Sequence, residues 1–161
     1  MDLDHKAILY FPDRWSMNFD QSIVSYFKDK HNTCTNIFDD FYAPWSKALD
    51  EYNNKWVDYK IVVGVGSGAD YVNHMPPGVP TILIDPINEV LDSVNSFIIR
   101  TPFINDAAIR CDYKNCLDIQ FDEESFKRHV IMDVVESYGF WFENALDKAI
   151  EFFDKQNGSK K

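Results

Sequence analysis

The strongest constraint on the fold lies mid-chain, where residues 60–65 (KIVVGV) run straight into the turn Gly64-Val65-Gly66-Ser67-Gly68-Ala69. A continuous apolar run bounded by a turn reads as a strand buried on both faces. Glycines at alternate positions let the backbone reverse and let a helix approach the strand closely. That helix carries Ala69, Val72 and Met75 and is stopped by Pro76-Pro77-Gly78. Residues 80–85 (PTILID) supply the next buried strand. Strand, turn, short helix and strand form a βαβ unit, which predicts two parallel strands with a right-handed crossover.

The flanking segments extend this pattern. Residues 7–11 (AILYF) read as another buried strand, ended by Pro12-Asp13. Over residues 18–30, Phe19, Ile23, Tyr26 and Phe27 form a helical stripe. Residues 33–38 are a weaker β-prone stretch. Trp45, Ala48, Leu49, Tyr52 and Trp56 mark an amphipathic helix entered through Pro44. Residues 86–128 have no clear place in a sheet: Phe97-Ile98-Ile99 is a strand or the end of a helix, and residues 102–122 mix turns with short apolar pieces. Residues 129–135 (HVIMDVV) read as a last strand. A closing helix over residues 140–153 carries Phe142, Ala145, Leu146, Ala149, Ile150 and Phe153, and residues 157–161 read as a frayed tail.

With no repeat and no linker, the expectation is one domain over residues 1–156. It is a three-layer α/β fold: a mainly parallel sheet of about five or six strands with helices on both faces. Trp15, Trp45, Trp56, Phe140, Trp141 and Phe142 are expected in the core. Phe140-Trp141-Phe142 cannot all face inward on one helix, so one of them is expected at a surface suited to a partner.

Composition narrows the classes of function. Hydrophobic residues make up 45% of the 161, enough for a packed core. No apolar run approaches the roughly 20 residues of a membrane span. Residues 1–6 are too polar and acidic for a signal peptide, so a cytoplasmic location is expected. The net charge of −10 argues against nucleic acid, whose phosphates need Lys and Arg, and against anionic membranes. The odd set Cys34, Cys111 and Cys116 is expected as free thiols. No second Cys or His pair completes a zinc pattern, so no metal and no cofactor are implied. The expected partner is a small ligand or a protein, a second copy included.

Three readings fit the glycine turn. In acyl transfer, a nucleophile at the apex of a G-x-S-x-G elbow stands exposed above the sheet, and the next backbone N–H helps hold the oxyanion. The frame Gly64-Val65-Gly66-Ser67-Gly68 puts Gly66 at that apex. Here VGVGSGADYV followed by ILIDP resembles the small single-domain bacterial α/β-hydrolase-like esterases, which carry VGSSLGGYYA followed by a VVVNP strand. The likeness extends loosely to residues 7–11, as the strand before the oxyanion loop, and to residues 129–153, as the last strand and closing helix.

The chain departs from that family at each catalytic position. Pro12-Asp13 stands in place of His-Gly, Gly66 in place of the nucleophile, and Glu136-Ser137-Tyr138-Gly139 contains no histidine. His129 is at the wrong end of its strand. A triad works only as a unit, so the resemblance implies the fold and a degenerate member that binds a ligand or partner. An alternative is a small esterase with Ser67 as nucleophile and His74 as base. The bland roles are a first-turn residue or helix cap for Ser67 and a helix C-terminal contact for His74.

The second reading is nucleotide binding. Gly64-x-Gly66-x-x-Ala69 matches a relaxed dinucleotide fingerprint, with Asp85 near the usual acidic position. Asp70 in the first helical turn would repel a pyrophosphate. The third reading is a turn needed only for packing. Asp13, Gly66, Ser67, Gly68 and Asp85 are expected to border one pocket at the carboxyl edge of the sheet, with the N–H groups of Ser67 and Gly68 exposed there. The competing expectation is that residues 86–128 fill that edge with Phe97, Phe103 or Tyr113.

Overall fold

The structure is a computed structural model and describes residues 7–14, 20–87, 95–100, 116–118 and 134–159. Its centre is a six-stranded, all-parallel sheet: β1 (Ala7–Phe11), β2 (Cys34–Ile37), β3 (Tyr59–Val65), β4 (Thr81–Ile84), β5 (Ser96–Arg100) and β6 (Cys116–Asp118). The strand order is β2-β1-β3-β4-β5-β6. The expected βαβ unit is present: β3 and β4 are parallel neighbours, in register from Val62 opposite Thr81 to Val65 opposite Ile84.

Continuous apolar strands produce this arrangement because successive side chains feed two cores at once. On β1, Ile8 and Tyr10 enter one core while Leu9 and Phe11 enter the other. The first core is roofed by α1 (Asp20–His31) through Ile23, Tyr26 and Phe27, and by α3 (Val134–Ser159) through Ala145, Leu146, Ala149, Ile150 and Phe153. The second is roofed by Ala48 of α2 (Trp45–Tyr52) and by Ala69 and Val72 of a 3-10 helix, Gly66–His74. The fold is therefore the expected three-layer α/β sandwich.

Several expectations are corrected. Val134 and Val135 open α3 instead of closing a strand, since a short apolar run cannot be told from a buried helical turn by periodicity alone. Helix α3 continues through Ser159, past the start of the expected tail. Helix α2 ends at Tyr52, and the two tryptophans expected in its core face are on the surface, Trp45 at 49% and Trp56 at 85% exposure. Trp45 is the first residue of that helix and Trp56 lies beyond its end, so the face packed on the second core is supplied by Ala48, Leu49 and Tyr52 instead. Segment 86–128 contributes strand β5, paired between β4 and β6, and the outer strand β6, with Phe97 packed in the first core. Phe19, Trp15, Phe103, Cys111, Tyr113 and His129 lie outside the described residues, as do the side chains of Cys116, Phe140, Trp141 and Phe142. Among the described residues no helix is long and apolar enough to cross a membrane. Cys34 is a free, exposed thiol on edge strand β2.

Candidate functional site

The chain leaves β1 for β2 on one side and later returns through β3 to build the sheet on the other. That reversal opens a crevice between the carboxyl ends of β1 and β3, the place where open α/β sheets bind ligands. Two loops meet there: Pro12-Asp13-Arg14 after β1 and Gly66-Ser67-Gly68 after β3.

At the second loop Gly66 has φ +54°, the left-handed conformation that glycine adopts without strain. The turn from β3 into the 3-10 helix thus carries a positive-φ residue with no side chain. The space belongs to Asp13. A Cβ at Gly66 would clash with Asp13 Oδ1 and lie 2.8 Å from Asp13 Cγ. Asp13 Oδ1 accepts both the Ser67 backbone N–H and the Ser67 hydroxyl at 2.9 Å. Ser67 Oγ in turn accepts the Arg14 backbone N–H at 2.8 Å. Only 3% of Asp13 reaches solvent. Its carboxylate caps the first turn of the 3-10 helix, where free N–H groups and the helix dipole favour negative charge.

Gly68 makes the junction tight. A Cβ there would run into the carbonyl groups of Phe11 and Pro12, 2.5 Å from Pro12 O. The N–H groups expected to face solvent are therefore not presented: Ser67 N–H is answered by Asp13, and Gly68 is buried against β1. Gly66 is buried and Ser67 half-buried. Among the described residues the crevice is filled by Asp13 of the loop after β1, and Phe97 packs in the first core; Phe103 and Tyr113 lie outside the described residues. Asp85 stands one strand over, fully buried, at φ +48°, with its N–H donated to Ile99 O at 2.8 Å.

His74 is far from this centre. It closes the 3-10 helix seven residues after Ser67, about 14 Å along an axis rising about 2 Å per residue. Its exposed imidazole stands in the last turn of that helix and stacks on Trp45 at 4.4 Å between centroids. The structure brings Asp13, Gly66 and Ser67 together and leaves His74 outside.

No family model, curated protein or solved structure matches the chain. What the site can do follows from its own chemistry.

Three neighbours join it that the sequence did not single out: Asp20, Tyr10 and Arg14. Asp20, at the start of α1, accepts the Tyr10 hydroxyl. Burial pushes the Asp20 carboxyl above its usual range and the charge of Asp13 adds to this, while the Tyr10 hydrogen bond works against it. Burial likewise raises the Tyr10 phenol, helped by Asp20 and Asp13. Arg14 is the third omission: its guanidinium donates to Phe41 O at 2.8 Å and lies 5.2 Å over the Tyr42 ring. No local pattern marks these contacts, because each joins residues distant in sequence. Among the described residues no group of three or more His, Cys, Asp or Glu is placed to hold a metal ion.

Proposed function

We propose that this chain is a non-catalytic protein on a hydrolase-like scaffold, acting by binding a ligand or protein partner. One observation carries the reading: the carboxylate of Asp13 sits where an elbow nucleophile would project and already satisfies the N–H that would hold an oxyanion. Nucleophilic catalysis needs an activated side chain, a base within hydrogen-bond reach and free oxyanion donors. Here the apex has no side chain and the donor is used. The hydroxyl of Ser67 donates its hydrogen bond to Asp13 and accepts one from the Arg14 backbone N–H, and His74 is remote.

The same contact weighs against the nucleotide reading. A phosphate at this helix start would compete with a covalently tethered carboxylate for the Ser67 N–H, and Asp70 adds a second negative charge nearby.

The test is incubation with p-nitrophenyl esters and a fluorophosphonate probe. The expected result is no turnover and no labelling above a Ser67→Ala variant. Labelling that disappears in Ser67→Ala would overturn the proposal in favour of a Ser67 esterase. Gly66→Ser alone is also expected to give no efficient esterase, because its new side chain must displace Asp13 and still lacks a base. Robust turnover by that variant would reveal a base in the fold.

A further inference from the structure

The outer side of β2 is a strand edge without the usual protection. Among the described residues β2 pairs with β1 alone. The Phe38 N–H donates to Tyr10 O at 2.8 Å, so Cys34, Asn36 and Phe38 turn their backbone groups inward to β1. Alternation then turns the N–H and C=O groups of Thr35 and Ile37 outward. Proteins blunt such edges with charge, proline or a bulge. Cys34-Thr35-Asn36-Ile37 has none of these, and Ile37 is 43% exposed.

The charges at its two ends select the occupant. The last turn of α1 carries Lys28, Lys30 and His31. That turn is tied to the start of β2 by Asn32 N–H to Lys28 O and Thr33 N–H to Phe27 O, each at 3.1 Å. Lys30 is engaged by Glu143 and Asp147, while Lys28 is exposed; Asp29 offsets part of this basic end. Beyond the other end stand Asp39, exposed, and Asp40, held by Lys47. A second copy running antiparallel sets the Lys28 end of each chain against the Asp39 end of the other, whereas a parallel copy would set like against like. We infer that β2 pairs with β2 of a second copy, antiparallel about a two-fold axis at Asn36, joining the two sheets into one.

The backbone fixes the register. With Asn36 opposite Asn36 of the second copy, Thr35 stands opposite Ile37 and Ile37 opposite Thr35, so every outward N–H and C=O of these residues is paired. The two-fold keeps the faces matched, and each Ile37 packs beside Thr35 of the other copy. The two Asn36 residues form a non-hydrogen-bonded pair, with Cα atoms about 4.5 Å apart. The two Cys34 residues lie four positions apart along the ladder, about 13 Å, too far to bridge. A contact of this length is small against the roughly 1,200 Å² at the low end of stable interfaces, and each chain carries a net charge of −10. The dimer is therefore weak, with Kd on the order of 0.1–1 mM, and dilute protein keeps the edge open. This edge is apart from the crevice, and pairing through it does not depend on what the crevice binds.

Sedimentation equilibrium over roughly 0.02–1 mM protein at physiological salt should show a monomer–dimer equilibrium. Ile37→Lys should weaken it at least about tenfold, and Glu151→Gln on α3 should leave it unchanged. Asp39→Lys and Lys28→Asp should each weaken it alone, and mixing the two variants should restore a heterodimer. The register is read by Cys34→Ser/Asn36→Cys. Under oxidised glutathione this variant should form a disulfide-linked dimer at least about tenfold faster than the parent or Cys34→Ser, which both keep Cys111 and Cys116. Unchanged melting of each variant establishes that the fold is intact, as expected for an exposed edge. A chain that stays monomeric throughout the range overturns the proposal. So does a dimer indifferent to Ile37→Lys or to the charge swap, or one whose Asn36→Cys form does not cross-link, since each places the contact elsewhere.

Discussion

At Gly66 and Asp13 two residues far apart in sequence have become complementary, one by lacking a side chain and the other by supplying one. The glycine is required both for its positive φ and for the space that Asp13 takes. This sets an order among glycine substitutions. Gly66→Ala should cost about 1–3 kcal/mol, from left-handed strain and displacement of the cap. Gly68→Ala should cost more, because the obstruction is the backbone carbonyls of Phe11 and Pro12, which cannot swing away as a side chain can. Gly78→Ala, with open space around its Cβ, should stay within about 0.5 kcal/mol of the parent. Urea unfolding midpoints measure all three, and equal midpoints for Gly66→Ala and Gly78→Ala would refute the tight junction.

Between elements, the clearest polar staple joins α1 to α3. The Tyr26 hydroxyl donates to Asp147 Oδ1 at 2.7 Å, and Lys30 Nζ reaches Asp147 Oδ2 at 2.9 Å and Glu143 at 2.8 Å. Burial alone would raise the Asp147 carboxyl, but the hydrogen bonds from Lys30 and Tyr26 outweigh it and hold the group below its usual range. A carboxylate lowered on folding contributes stability that is present above its unfolded pKa, about 3.9, and is lost as pH falls through the folded-state value. Asp147→Asn should therefore melt below the parent at pH 7, and the gap should close on acidification below about pH 4. A gap that persists unchanged at pH 3 would show that the staple acts through packing, not charge. Asp20 has the opposite sign: its carboxyl is raised, so its cost to folding is relieved as pH falls through that raised value. The elements joined by this staple were legible because α1 and α3 bury Ile23, Phe27, Leu146 and Phe153 at helical spacing, and β1, β3 and β4 are unbroken apolar runs. The crevice was only half legible. The glycine turn announced a close approach, whereas the residue approaching it comes from 54 positions away. Trp45 and Trp56 misled for a related reason: their spacing fits a helical face, but helix length and the sheet beneath decide whether such a face is covered.

For the whole molecule, strand order makes β3 the centre of cohesion. It pairs with β1 on one side and β4 on the other, and Ile61, Val62, Val63 and Val65 are completely buried beneath the two helical layers. Strand β2 is an edge, paired only with β1, with Cys34 and Ile37 exposed. Amide exchange reads this difference directly, since central amides open only with global unfolding and edge amides open locally. The amides of β3 should be the slowest in the protein, and those of β2 should exchange at least about tenfold faster. The crevice adds a local signature. Asp13→Ala should speed exchange at Ser67 N–H, whose acceptor it removes, while leaving Ile61 to Val63 at the rate set by global stability. If β2 were as protected as β3, something would have to cover that uncharged edge, and a second copy adding its own β2 in line is the simplest cover. Dilution distinguishes the two cases: protection of a monomer's edge does not depend on concentration, whereas protection supplied by a second copy falls as the dimer dissociates.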